Sequence, residues 1–521
     1  MFRAPGDAPA ALSSMASGQT RVPLRPLIAR HGLPFLSGLL LAVSFPTWHL
    51  FPLAWAALAP LFYCVENADA RKTAGRFFVA GIVFHLILLQ WLLGNIFWAG
   101  GWGVVGHLLL CFGLSLYWAI FGALWQWMRK QLPWFPGALL LALLWGAMEV
   151  LQANLFSGFG WPALGYSQGP DLLLAQWASI GGVSLVSVVL VLFNALIAQA
   201  ARLRRPVAAG ISATAVLLLA HGGGWLMLDA PPEQEAPFTV GLLQPDYPQE
   251  MKWDPEYRVE MVRNAVEKSA VLAMRHELDL MVWPEALLMA PIESPSLWST
   301  TQGFIESTGV PLFTGAVRAA DEGFANSSHL ITAEGEVEGW YDKIRLAPFG
   351  EYMPFARQFP ALARLVPAVG SMLPGEEVKV FPTDSRQLGP LICFEVLFAP
   401  MAEELRRKEA DMLVVITNLA WFGRSNIKAQ EWEISRFRAI ETRLPLVHCA
   451  NTGISGVIDP WGRAHMAGPP HRRFAAALYV PPAAPHPTAW APPLVRKAFV
   501  ALAAALAILA VVLNRRRGKT A

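Results

Sequence analysis

Charge is what this 521-residue chain has least of: 15% of its residues are Asp, Glu, Lys or Arg, against a hydrophobic share of 54%. An ordinary soluble domain carries about a quarter charged residues, so a wholly soluble protein is excluded. Cysteine is also scarce. Cys64, Cys111, Cys393 and Cys449 are the only four, too few and too scattered for a disulfide framework or a zinc site. Cys393 therefore reads as a free thiol. The sequence has no cluster of metal ligands, no glycine-rich phosphate or dinucleotide pattern and no basic nucleic-acid patch. No metal, cofactor or nucleic acid is implied. No secretory signal with a cleavage site opens the chain. Residues 1–32, Ala-, Pro- and Ser-rich with Arg3, Arg21, Arg25 and Arg30, read as a basic disordered lead-in.

What is present is long apolar sequence. Segments of bilayer-crossing length, about 20 residues each, are expected near 33–48, 50–66, 77–98, 103–128, 138–156, 179–199 and 207–228, with a last one at 496–514. The first two are short and joined through Pro46 and Pro52, so they read as a tight hairpin as readily as two spans. Arg71, Lys72 and Arg76 fall in one short loop, Arg129 and Lys130 in another, Arg202, Arg204 and Arg205 in a third, and Arg515, Arg516, Arg517 and Lys519 close the chain. Placing all of these in the cytoplasm puts both termini inside and the polar block 229–493 outside. Arg496 and Lys497 lie on the wrong side of the last span but are outweighed by the four basic residues after it. The expected organisation is a basic segment 1–32, a transmembrane bundle 33–228 of about seven spans, an extracytoplasmic domain 229–493, and a C-terminal span with a basic cytoplasmic tail, 494–521.

From Thr239 onward short Val/Ile/Leu runs alternate with charged amphipathic stretches. Strands are expected at 238–244, 278–284, 311–317, 327–333, 388–394, 411–417, 446–450 and 454–459, and helices at 254–276, 296–308, 399–408 and 426–441. Such alternation argues for an α/β domain with a buried sheet, without choosing among sheet topologies. Three patches in it carry chemistry. Met281-Val-Trp-Pro-Glu285 ends an apolar run in a carboxylate, Trp340-Tyr-Asp-Lys343 presents a cation, and Leu388-Gly-Pro-Leu-Ile-Cys393 ends a strand in a thiol. A base, a cation and a thiol are the parts that covalent acyl chemistry needs: a thiolate nucleophile, a positive charge for the oxyanion and a proton acceptor. Taken singly each has a bland explanation. A buried cysteine is most often a small core residue, an isolated lysine a surface residue, and a Glu after Trp-Pro a helix N-terminal neighbour.

The sequence around these patches resembles the bacterial apolipoprotein N-acyltransferases, the membrane-bound branch of the nitrilase superfamily. Trp283-Pro-Glu285, the Lys343 patch running to Phe349-Gly-Glu-Tyr-Met-Pro354, and Ile392-Cys-Phe-Glu395 carry the resemblance. So do Asn418 with Ala420-Trp-Phe-Gly423, Arg436-Phe-Arg-Ala-Ile-Glu441, Asn451-Thr-Gly-Ile454 and, in the apolar half, Gly165 to Gln168 followed by Gly182-Val-Ser184. The resemblance covers nearly the whole chain from about residue 33. It implies a nitrilase-like αββα sandwich on a helical membrane bundle. The implied catalytic set is Glu285, Lys343 and Cys393, with Glu351 and Glu395 as supporting carboxylates, Glu351 orienting Lys343. Trp253, Trp421, Asn418 and Tyr352 are the implied substrate-binding residues. The implied reaction moves an acyl chain from a phospholipid to the N-terminal amine of a diacylated apolipoprotein through a Cys393 thioester. The implied setting is the bacterial inner membrane, with the site on the periplasmic side, membrane lipid around a monomer, and no cofactor.

Both implied substrates carry alkyl chains whose exposure to water costs roughly 0.8 kcal/mol per CH₂, so a site opening between spans and domain is expected. The apolar loop Ala361–Met372 reads equally as a segment dipping into the outer leaflet or as one packed on its own domain. Four positions depart from the family's pattern. Leu419 stands for an Asp, Glu431 for a His after Gln430, Gln244-Pro-Asp246 for Gln-Gly-Asn, and Gln152 for an Arg after Glu149. None belongs to the implied triad, and they bear on the acceptor loop. A membrane-tethered amidase or acyl hydrolase, with water resolving the thioester, shares the triad. A non-catalytic assembly or transport protein is disfavoured by the intact triad and by the scarcity of interior charge pairs.

Overall fold

An apolar surrounding forces a backbone to satisfy its own N–H and C=O groups, and the N-terminal part of the chain is built of helices joined by turns, with no strand among the described residues. The computed structural model describes residues 31–48, 50–96, 100–129, 132–201, 206–229, 237–292, 294–353, 358 and 371–517. The apolar segments become α1 (Leu33–Ser44), α2 (Ala59–Val65), α3 (Ala70–Leu88), α4 (Gly101–Arg129), α5 (Trp134–Asn154), α6 (Val183–Ala200) and α7 (Pro206–Met227). Among the described residues four of them, α4 to α7, are long and apolar enough to cross a membrane. At 12 residues, α1 rises only about 18 Å at 1.5 Å per residue, short of a hydrocarbon core of about 30 Å.

The stretch expected as a second span is broken instead into Phe51–Leu53, Ala54–Ala57 and α2. The break falls just before Pro60, which lacks a donor N–H. Asn194 of α6 mends it: its Oδ1 accepts from Leu58 N at 2.8 Å and Ala59 N at 3.0 Å, and its Nδ2 donates to Ala54 O. A single buried amide thus satisfies three main-chain groups that an apolar surrounding would leave unpaired.

The polar block folds into two sheets. One has the order β13-β1-β2-β4-β5-β6, with β3 also pairing β4; the other runs β12-β11-β10-β9-β8-β7. In the first, β1 (Phe238–Gln244), β2 (Leu280–Val282) and β4 (Leu312–Ala320) are parallel neighbours, flanked by antiparallel β13 (Phe474–Val480), β5 (Gly323–Ile331) and β6 (Val337–Asp342), while β3 is Leu288–Pro291. In the second, β8 (Gln387–Ile392), β9 (Met412–Thr417) and β10 (Leu446–Ala450) are parallel, with β7 (Phe381–Pro382), β11 (Ser455–Ile458) and β12 (Ala464–Gly468) outside them.

Alternation along each strand decides what packs where. Leu280 and Val282 enter the core between the sheets, while Met281 and Trp283 turn toward α8 (Pro255–Arg275) and α9 (Pro295–Thr308). The Trp283 indole donates to Ser269 of α8 and packs on Phe304 of α9. On the other side α10 (Ala399–Arg407) and α11 (Ile427–Thr442) cover the second sheet. The result is an αββα sandwich. The expected strands and helices occur with boundaries moved by a few residues. One shift matters: the strand expected through 394 ends at Ile392, and Cys393 starts a 3₁₀ turn. A last helix, α12 (Ala491–Arg517), returns to the bundle and packs on α5. The lead-in 1–30, the basic residues Lys130, Arg202, Arg204 and Arg205, and residues 361–370 of the Ala361–Met372 loop lie outside the described residues.

Sandwich and bundle meet along α11. Gln430 donates to Leu88 O at the end of α3 and accepts from the Trp161 indole at 2.6 Å. The Glu441 carboxylate accepts from Val183 N at 2.9 Å, a negative charge at the N-terminus of α6 where the helix dipole favours one. Arg443 donates to Gln176 at 2.7 Å. Arg496, the basic residue on the unexpected side of the last helix, grips both oxygens of Glu403 on α10 at 2.7 and 2.6 Å. Its position follows from this pairing with the sandwich.

Candidate active site

Strand ends assemble the site. Lys343 follows the last residue of β6, Cys393 that of β8, Asn418 that of β9 and Asn451 that of β10, while Glu285 sits three residues beyond β2. The two sheets therefore deliver a carboxylate, an ammonium and a thiol from their carboxyl ends to one place. The Glu285 turn is brought close by Gly315 of β4: a Cβ there would lie 2.6 Å from Ala286 N. Backbone strain gathers here too. Cys393 and Ala286 take φ of +53° and +48°, left-handed conformations that cost a non-glycine residue energy and cluster at functional sites.

Lys343 is 1% exposed. Its Nζ lies 3.2 Å from Glu285 Oε1 and 3.0 Å from each oxygen of Glu351. Burial disfavours the ammonium, but the attraction of Glu285 and Glu351, with smaller contributions from Cys393 and Glu395, outweighs it and holds the lysine pKa well above its usual value. Glu285 is fully engaged: Oε1 also accepts from Asn326 Nδ2 at 2.8 Å, and Oε2 accepts from Asn418 N at 2.7 Å. Asn326 Nδ2 reaches Glu351 Oε1 as well, at 2.7 Å, and Glu351 Oε2 accepts from Ala347 N.

Cys393 is partly exposed, yet the protein packed around its sulfur strips enough hydration to raise the thiol pKa well above normal. Glu285 and Glu431 add to the rise, and Lys343 and the nearby Thr417 hydroxyl oppose it. The thiol is therefore the resting form, and any attack by this sulfur would need a base to take its proton. Glu395 fixes the turn. Its Oε2 accepts from Ile392 N at 2.8 Å, and its Oε1 accepts from Tyr341 OH at 2.8 Å, Ile344 N at 2.7 Å and Arg345 N at 3.1 Å. One carboxylate thus ties the cysteine turn to the Lys343 loop. Burial raises the pKa of Glu395, against the lowering effect of these donors.

The remaining sequence-derived residues are placed as follows. Asn418 spends its side chain inside the protein, donating to Gln249 and accepting from Asn451 Nδ2, both at 2.9 Å. Tyr352 is half-buried beside the Lys343 loop, where its carbonyl accepts from Phe349 N. Trp421 is half-buried in the turn Ala420–Phe422, whose Phe422 ring meets Trp91 edge-on at 5.0 Å. Trp253 ends the short helix Gln249–Trp253. Sequence reasoning missed Asn326, Tyr341, Thr417 and Lys252. Lys252 is buried, donates to Glu285 O at 3.2 Å, and has its pKa pulled down to about 8 by burial against the attraction of Glu285 and Cys393. Its neighbour Trp253 drew the notice in the sequence, and nothing local marks an Asn in mid-strand as a bridge between two carboxylates.

Comparison with known proteins agrees in both halves of the chain. The family model described as the apolipoprotein N-acyltransferase N-terminal domain matches residues 37–196, and that of the carbon-nitrogen hydrolases matches residues 239–477. The chain is similar to the apolipoprotein N-acyltransferase of Geobacter metallireducens, 34% identical over 453 residues that cover 83% of this chain and 85% of that protein. The Chlorobaculum tepidum protein of the same name is 30% identical over 478 residues, 84% and 88% of the two chains. Among solved structures, a mutant of the Nesterenkonia AN1 amidase from the nitrilase superfamily aligns at 19% identity and a TM-score of 0.37, covering 49% of this chain and 94% of that one.

Proposed function

The chain belongs to the apolipoprotein N-acyltransferase family, and from that premise we propose that it moves a fatty acyl chain from a phospholipid to the N-terminal amine of a diacylated apolipoprotein. The single observation that carries the assignment of roles is Lys343, buried between Glu285 and Glu351 at the strand ends that also present Cys393. Glu285 takes the Cys393 proton as sulfur attacks the ester carbonyl, and the tetrahedral oxyanion forms against the Lys343 ammonium. Collapse breaks the C–O bond, Glu285 returns its proton to the departing alkoxide, and a lysophospholipid leaves a thioester on Cys393. The amine then attacks that thioester and gives its proton to Glu285. The C–S bond breaks, and the proton passes back to sulfur. Glu351 and Asn326 hold Lys343 and Glu285 in register, and Glu395 holds the turn.

The acyl chains favour a site beside the bundle, since moving them through water costs roughly 0.8 kcal/mol per CH₂. The contacts of α11 with α3 and the Trp161 segment support such an approach. The basic loops of the apolar half support cytoplasmic termini and a catalytic domain on the far side of a bacterial inner membrane. Intact-protein mass spectrometry tests the scheme. Enzyme mixed with phospholipid should gain an acyl-sized adduct on Cys393 that passes to the amine of an added diacylated lipopeptide. An adduct that decays only to free fatty acid would make the protein a hydrolase.

A further inference from the structure

Glu431, one of the four departures from the family's pattern, turns out to sit against the site. It lies on α11, 1% exposed, and its Oε1 accepts from Thr417 Oγ1 at 3.1 Å. The Thr417 hydroxyl also lowers the pKa of the Cys393 thiol, so it lies between the two groups. The other oxygen, Oε2, has no hydrogen-bond partner among the described residues; 3.7 Å away is His448 Nε2 on β10, equally without a partner and equally 1% exposed. The histidine's other nitrogen, Nδ1, lies 2.7 Å from Ile454 O. A carbonyl oxygen only accepts, so Nδ1 carries the hydrogen and a neutral ring turns a bare Nε2 lone pair toward Glu431. A carboxylate facing that lone pair in a buried pocket would be repulsive on both sides. One proton therefore belongs between the two groups.

We propose that Glu431 and His448 are a one-proton pair that keeps the carboxyl beside Cys393 uncharged while the thioester forms, making Glu431 a positioning residue for the acyl site. The proposal rests on the reading of Cys393 as the acylated thiol. Burial decides where the proton resides. It pushes Glu431 up to about 8, the Thr417 hydrogen bond opposing, Glu285 adding, and Lys343 and Lys428 opposing. It pulls His448 down to about 4, with the bond to Ile454 opposing. The proton thus sits on Glu431 at neutral pH. The groups facing Glu431 are Thr417 from β9, His448 from β10, Lys428 on its own helix, and Glu285, Lys343 and Cys393 in the site. Trp432 closes the far edge of the His448 ring at 5.6 Å. Because its pKa is raised, Glu431 stays neutral below about 8 and ionises above it. A second carboxylate charge then joins Glu285 where negative charge builds on sulfur. Lys428, itself lowered to about 8 by burial, loses its compensating charge over the same range.

The test is the pH profile of lysophospholipid release in a single turnover, measured on the full chain in phospholipid nanodiscs. This half-reaction is blind to the protonation of the acceptor amine. The wild-type rate should fall above about pH 8, approaching tenfold per pH unit, and Glu431→Gln should make that fall shallower, leaving only what Lys428 and Lys252 contribute over the same range. Superimposable profiles overturn the proposal. Infrared spectroscopy of the wild type needs no variant: a protonated-carboxyl band should vanish over the same pH range and be missing from Glu431→Gln. Its absence from the wild type, or its persistence in the variant, overturns the pair. If the band titrates as expected but no acyl-enzyme forms at any pH, the reading of Cys393 fails and the pair stands.

Discussion

Two regions of this molecule bury charge, and they do so differently. Where sandwich meets bundle, opposite charges close on one another: Arg496 on Glu403 with both nitrogens, and Arg438 on Glu441 at 2.9 Å with Tyr166 OH as a further partner. At the strand ends, Glu285, Glu351, Glu395 and Glu431 gather around the Lys343 and Cys393 loops, and the backbone at Cys393 and Ala286 is left-handed. The first arrangement pairs each of these charges with an opposite one. The second gathers four carboxyl groups, one of them uncharged, with Lys252, Lys343 and Lys428, and it leaves a partly exposed sulfur among them. Buried ion pairs are therefore a poor signature of a site on their own, since desolvation offsets most of what they contribute. Convergence on one unshared, reactive group under strain is the better one.

The comparison can be broken at several points. Cys393→Ala removes the convergent atom and little volume; it should lower acyl-enzyme formation by more than about a thousandfold with the unfolding transition unchanged, as mass spectrometry and thermal denaturation would show. An acyl adduct in this variant would move the chemistry elsewhere. Lys343→Met removes the charge held by two carboxylates, and acylation should fall about 10²- to 10³-fold. A wild-type rate would strip Lys343 of its oxyanion role. Asn326→Leu touches no substrate in this scheme but frees Glu285 and Glu351 to shift. A loss of about ten- to a hundredfold in single-turnover rate is expected, with substrate affinity little altered. On the other side of the comparison, Arg496→Leu leaves the half-buried Glu403 without its partner. It should cost about 3 kcal/mol of stability, read by denaturation in detergent, while the acylation rate per folded molecule stays near wild type. A large loss of rate without a loss of stability would mean that the two regions are not distinct.

Much of the site was legible in the sequence because it lies at strand ends, where a chemically distinctive residue directly follows an apolar run. Glu285, Lys343 and Cys393 each stand at such a boundary. Asn326 was not legible, since it lies in mid-strand and matters only because β5 runs beside β4 and carries it to the Glu285 turn. The interruption was half legible: Pro46 and Pro52 announce a joint between the first two segments, but neither the break just before Pro60 nor that Asn194, some 135 residues away, satisfies the exposed amides was read locally.

What the sequence determined by itself is what local chemistry determines: an apolar helical part, an alternating α/β part, and a carboxylate, a lysine and a cysteine at the ends of apolar runs. The tertiary structure alone decided their relation. Hydrogen bonds and buried charges act over a few ångströms in space whatever their separation along the chain. Only folding could set Lys343 between two carboxylates, tie the cysteine turn to the lysine loop through Glu395, pair Arg496 with the sandwich rather than the membrane surface, and turn Glu431 toward a histidine with one proton to share.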